Sequence, residues 1–196
     1  MRICLGFDGS DKSDFTAIRA ETAGGWMFTP TYGKSQRPTI WDPAEWGGRI
    51  PRNEVNAAVQ ELFDTHDVER MYCDPPLFKT EIESWQGQHG DDRVIMWETY
   101  RTRAMHAALE RFLVDLESGA LTHDDCPITK QHIANAKMFA RPNQQYIILK
   151  PSPNQKIDAA VTSVITHEAA CDARADGWTT LWTPSGDIST QMYGFS

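Results

Sequence analysis

"ICLGFDGSDKSDFTAIRA", residues 3–20, begins as an apolar strand and then places Asp8, Asp11 and Asp14 within seven positions. Ile3 to Phe7 reads as a short buried strand. Phe15 to Thr22 and Trp26 to Tyr32 read as two more, joined by Ala23-Gly24-Gly25, a turn that tolerates positive φ. The three strands make an antiparallel meander. Asp8-Gly9-Ser10 fits a polar hairpin turn, yet Asp8 also directly follows a packed apolar run. A carboxylate held there loses water and needs a partner. The stretch therefore allows two readings of Asp8, a turn residue or a metal ligand.

Downstream, the Gly-, Pro- and Trp-rich residues 33–52 read as a long surface connection. "NEVNAAVQELFDTH" places Val55, Val59, Leu62 and Phe63 on one helical face. "VERMYCDPP" is a buried strand stopped by Pro75 and Pro76, "FKTEIESWQGQHG" a second helix, and "RVIMWE" a short strand. Residues 100–117 form the clearest helix, with Met105, Ala108, Leu109, Phe112 and Leu116 at helical spacing. "DDCPITKQHIANAKM" reads as helical and "QYIILK" as a strand. "KIDAAVTSVITHEAACDA" closes the pattern as a helix with Ile157, Val161, Val164 and Ile165 on its apolar face. The tail from 174 has no clear period, and its Trp178 and Trp182 are assigned no role. The order implies an α/β fold with one mixed sheet flanked by helices.

The 196 residues, 40% hydrophobic, support one packed domain, and no apolar run is long enough to span a bilayer. The four scattered cysteines contain no CxxC pair, so reduced thiols are expected and a zinc site is not. A net charge of −8 argues against nucleic-acid binding by the whole surface. The charge is unevenly spread, however. Residues 126–157 hold Lys130, Lys137, Arg141, Lys150 and Lys156 and no acid, leaving −13 on the rest of the chain. That stretch is either a solvated basic surface or a track for a phosphate backbone.

Asp74 ends the strand after the first long helix, and Asp158 lies in the first turn of the last one. Taken singly, Asp74 could be a strand terminator and Asp158 an acid favoured by the helix dipole. Strand ends converge in open α/β sheets, however, and a shared divalent cation is an economical partner for Asp8, Asp74 and Asp158 together. Oxygen-only ligation suits Mg²⁺ or Mn²⁺ better than Zn²⁺.

With these residues in hand, "GFDGSDKSDFTAIRA", "MYCDPPLFKTEIESW", "HIANA" and "KIDAAVTSVI" resemble, in consistent order from residue 3 to about 170, the nuclease domain of tailed-bacteriophage large terminase subunits. The resemblance implies an RNase H-like fold and a hydrolase that cuts packaged double-stranded DNA. It implies Asp8, Asp74 and Asp158 as catalytic, metal-binding acids for two Mg²⁺ or Mn²⁺ ions. It also implies a β-hairpin beside the active site at roughly 139–154, the heart of the basic stretch. The implied partners are duplex DNA and, in a full-length terminase, the packaging motor, small terminase subunit and portal, in the cytoplasm of the infected bacterium.

No GxxxxGK[ST] phosphate loop occurs, so residues 1–196 are expected to be an isolated C-terminal nuclease domain without its ATPase motor. Its core is expected over about 3–173. A junction resolvase of the same superfamily, or a catalytically silent DNA-docking module, remains an alternative. Several further residues stay open. Asp14 orients a ligand or pairs across strands, Asp11 is solvated in the turn, and Glu81 faces the site or solvent. His132 and Asn135 serve as caps or as DNA contacts. Arg101 and Arg103 touch phosphate or solvent, and a catalytic His167 is not expected.

Overall fold

The computed structural model describes residues 1–179. Eleven strands and five α-helices follow in chain order. β1 (Arg2–Asp8), β2 (Thr16–Thr22), β3 (Trp26–Phe28), β4 (Thr31–Tyr32), β5 (Arg37–Pro38) and β6 (Ile40–Trp41) come first. Then come α1 (Arg52–Thr65), β7 (Asp67–Cys73), α2 (Lys79–His89), β8 (Val94–Met96), α3 (Thr102–Ser118) and β9 (Thr122–His123). α4 (Pro127–Asn135), β10 (Lys137–Arg141), β11 (Gln145–Leu149) and α5 (Asp158–Ala175) complete the order.

The main sheet runs β8-β7-β1-β2-β3-β9, with β6 paired to β2. β1, β2 and β3 form the antiparallel meander, while β7 and β8 add in parallel on the far side of β1. β1 is thus central, and Ile3, Cys4, Leu5 and Phe7 are fully buried. Pro75 follows directly after β7 and Asp74, and it cannot supply a ladder N–H.

The expected surface connection over 33–52 is instead partly core. Ile40 and Trp41 form β6 against β2, and Trp41 and Ile50 are buried. The Trp41 indole N–H donates to the Tyr32 hydroxyl at 2.9 Å, so the buried ring keeps its polar handle paired. A two-residue strand is too short to carry a readable alternation, which is why composition alone pointed to a loop. The predicted third strand, likewise, divides into β3 and β4 around Thr29 and Pro30.

α5 lies across β1, β2 and β7 and is buried on more than the predicted apolar face. Ala159, Ala160, Ala169, Ala170 and Ala173 are buried along with Val164 and Ile165. Its buried hydroxyls are satisfied internally: Thr162, Ser163 and Thr166 each donate to the carbonyl four residues back. Close approach depends on Gly6, where a Cβ would sit 2.7 Å from the Thr166 nitrogen and 2.9 Å from the Thr162 oxygen. Small residues on both partners therefore bring the second and third turns of α5 against β1 at Gly6. Trp178 is buried at the opposite end of α5, against Ala169, Ala170 and Ala173, whereas Trp182 and the rest of the tail lie outside the described residues.

Candidate active site

Asp8 ends β1, Asp74 follows β7 and Asp158 opens α5, so the acids project from neighbouring ends of one sheet and its crossing helix. Pairing fixes two of them. The Asp74 N–H donates to the Phe7 carbonyl at 2.9 Å, which locks the end of β7 to the end of β1. Its carboxylate accepts from the Thr99 N–H at 3.0 Å and the Thr99 hydroxyl at 2.9 Å. Asp158 lines a cleft of about 640 Å³ together with Asp8, Thr99, Tyr100, Arg141 and Lys150.

The electrostatics are those of crowded acids. Burial, then the charges of Asp158, Asp74 and Asp14, push the Asp8 carboxyl well above its ordinary range. Burial and the charge of Asp14 raise Asp158 to about 6, and its Oδ2 is buried without a hydrogen-bond partner. Burial also raises Asp74, against the pull of the two Thr99 bonds. Oxygen donors only, one of them orphaned and Asp8 pressed by its acidic neighbours, fit a hard divalent cation. Among the described residues, only Asp115, His167 and Cys171 offer three ligand atoms all within 4.8 Å of one another; the acids of the cleft stand further apart.

The predicted hairpin is formed by β10 and β11, paired antiparallel from Lys137–Leu149 to Arg141–Gln145. It divides the five basic residues. Arg141 and Lys150 line the cleft, and Lys137 is exposed on the same ribbon. Lys130 instead pairs with Asp125 at 2.9 Å. Lys150 and Lys156 both pair with Asp14, at 2.6 and 2.9 Å. Burial would raise the Asp14 carboxyl, but the hydrogen bonds from these two ammonium groups hold it below its ordinary value. No basic residue neighbours Asp8 in sequence; the hairpin brings one, and the Lys150 charge pulls both Asp8 and Asp158 downward.

The other open residues resolve as follows. Asp11 faces Arg49 and Arg52 at 3.6 and 3.9 Å. Glu81 pairs with Arg52 at 2.6 Å, and Arg101 pairs with Glu98. His132 and Asn135 are caps: Nδ1 of His132 accepts the Ala159 N–H at 3.0 Å, and the Asn135 amide donates to the Lys156 carbonyl at 2.8 Å. Sequence reasoning passed over Thr99. Its signal was position, just beyond the third of three parallel strands whose ends share one edge.

The comparisons bear on this arrangement. No family model matches the chain. The chain is 31% identical over 183 residues to the gene 13 protein of Mycobacterium phage D29, and 31% identical to that of phage L5. These alignments cover 87% of the chain and 29–30% of the relatives, so the chain spans about three tenths of their length. The crystal structure of the HK97 bacteriophage large terminase superposes at a TM-score of 0.65 and 14% identity, over 84% of this chain and 38% of that one. The large terminase nuclease of thermophilic phage G20c superposes at 0.57 and 9% identity, over 85% and 81%. The fold is that of the phage large terminase nuclease. The RNase H-like architecture inferred from the motifs therefore holds, reached from a sequence that shares little identity with those structures.

Proposed function

We propose that this chain is a metal-dependent endodeoxyribonuclease that cuts double-stranded DNA by two-ion phosphodiester hydrolysis during viral genome packaging. The observation that carries the proposal is the buried Asp8 carboxyl, pushed up by the charges of Asp158, Asp74 and Asp14, in a cleft that it shares with Asp158, Arg141 and Lys150. The G20c nuclease, of the same fold, has been solved with bound magnesium and with bound cobalt.

In this reading Asp8, on the central strand, would hold the ions together with Asp74 and Asp158. When bound, Mg²⁺ or Mn²⁺ supplies Lewis-acid activation of water and neutralises charge on the reacting phosphate. Thr99 orients the Asp74 carboxylate through two hydrogen bonds. Arg141 and Lys150 attract the DNA backbone into the cleft, and Asp14 fixes the Lys150 head at its mouth.

The chain corresponds to the nuclease domain of a longer packaging protein. Its partners are the motor, small terminase subunit and portal, in the cytoplasm of an infected bacterium. Among the described residues no helix is long and apolar enough to cross a membrane. Digestion of supercoiled plasmid with EDTA, Mg²⁺ and Mn²⁺ in parallel tests the activity. Nicking and linearisation should require either ion. Asp8→Asn should abolish both while leaving the circular dichroism and melting temperature near wild type. Metal-dependent nicking retained by that variant overturns the assignment.

A further inference from the structure

A second donor cluster lies along α5, nine residues and about 13 Å beyond Asp158 at 1.5 Å per residue. His167 and Cys171, one helical turn apart, face Asp115 of α3. The Asp115 carboxylate is 3.1 Å from His167 Nε2, and the Cys171 sulfur is 3.4 Å from the same nitrogen. All three ligand atoms lie within 4.8 Å of one another. Tetrahedral zinc, with bonds of about 2.0–2.1 Å to nitrogen, 2.0–2.2 Å to oxygen and 2.3 Å to sulfur, needs ligand-to-ligand edges of roughly 3.3–3.6 Å. The two edges to His167 Nε2 are within a few tenths of an ångström of that, and the third lies within 4.8 Å.

The surroundings follow the pattern of a histidine prepared to ligate through Nε2. Nδ1 of His167 lies 2.9 Å from the Glu21 carboxylate, the arrangement that fixes ring orientation and raises imidazole basicity behind a metal. Arg174 donates to Glu21 at 2.8 Å and to the Cys171 sulfur at 3.3 Å, holding both in place. Glu21 and His167 are buried, while Asp115 and Cys171 are part-exposed, which provides an entry path and an open fourth position. The ligand set is borderline-soft, unlike the oxygen-only cleft.

We infer that Asp115, His167 and Cys171 form a binding site for a Zn²⁺-class transition ion, separate from the catalytic acids, that clips α3 to α5. A proton on His167 Nε2 and an ion there are mutually exclusive. Ion entry therefore releases to solvent any proton held there, together with the thiol proton of Cys171.

Cobalt titration of the chain tests this without reference to cleavage. One Co²⁺ per chain should give tetrahedral visible absorption and a near-ultraviolet thiolate-to-cobalt band, both distinct from any Co²⁺ held by the oxygen-only cleft. Both should be lost in Cys171→Ser and retained in Cys126→Ser, and Zn²⁺ should displace them. Zn²⁺ should also raise the melting temperature of wild type and not of Cys171→Ala, a half-exposed position where alanine leaves the fold intact. Absence of the thiolate band in folded wild type, or its persistence in Cys171→Ser, overturns the site.

Discussion

His132 gives a prediction whose size follows from its surroundings. The ring is buried, its Nδ1 accepts the Ala159 N–H, and the edge of Phe15 closes one side at 4.8 Å between centroids. Burial, with a minor push from the Lys156 charge against the pull of Asp42, lowers its pKa from 6.5 to about 4. The folded value lies below the unfolded one, so the native state refuses a proton that the unfolded chain accepts. The contribution is therefore complete above 6.5 and is lost as pH falls toward 4. Between pH 7 and pH 5 the loss amounts to about 2 kcal/mol, approaching about 3 kcal/mol below pH 4. His132→Gln keeps an acceptor oxygen and removes the titration.

The assay is thermal or urea denaturation of both proteins in EDTA across this range, so that effects of all other groups cancel in the difference. Wild type should be the more stable at pH 7. The gap should close by about 4–8 °C in melting temperature on going to pH 5, at about 2–4 °C per kcal/mol for a chain of this size. Parallel curves for the two proteins would refute the neutral, buried cap.

Three further perturbations test other contacts. Gly6→Ala drives a methyl group into the backbone of α5 at Thr162 and Thr166, and should destabilise by at least about 1–3 kcal/mol in urea titration. Asp124→Ala strips the fully buried Arg19 of its carboxylate and should cost about 3–5 kcal/mol by the same measurement, with part recovered in the double variant carrying Arg19→Met. Arg141→Ala should weaken duplex DNA binding in fluorescence anisotropy and lower the salt slope by about 1, equally for all sequences. Lys130→Ala, on a residue paired with Asp125 and not lining the cleft, should change both far less; an equal effect would remove the hairpin from the DNA path.

Much of the architecture was legible because long elements announce themselves by period. β1, α1, β7, α3 and α5 all carry enough residues for spacing to separate buried from exposed faces. The three acids were legible for a related reason, since each occupies the end of such an element, where open sheets gather their ligands. What the sequence hid is contact across distance. Lys150 meets Asp14 over 136 positions, so a cation absent from the local sequence reaches the acid cleft through the hairpin. β6 was hidden by brevity, and Thr99 by sitting in a loop with no pattern of its own.

His132 of α4 and His167 of α5 show most directly why partners outrank residue type. In "KQHIAN" and "ITHEAA" each sits in mixed helical sequence, and both become buried. His132 meets a backbone N–H donor and an aromatic edge, so desolvation holds it neutral. His167 is desolvated too, yet its bonds to Cys171 and Glu21 outweigh that and raise it to about 10. A raised histidine stabilises fully below 6.5 and loses its contribution as pH climbs through 10, the opposite direction to His132. Acid therefore attacks the cap at the first turn of α5, beside Asp158, while the contribution of His167 further along the helix is retained. Loss of the cleft geometry at low pH should begin at that first turn, with Asp158 displaced before the helix as a whole unfolds. Hydrogen exchange at Ala159 and Ala160 rising ahead of that at Ala169 and Ala170 as pH falls would be its signature; the reverse order would contradict it.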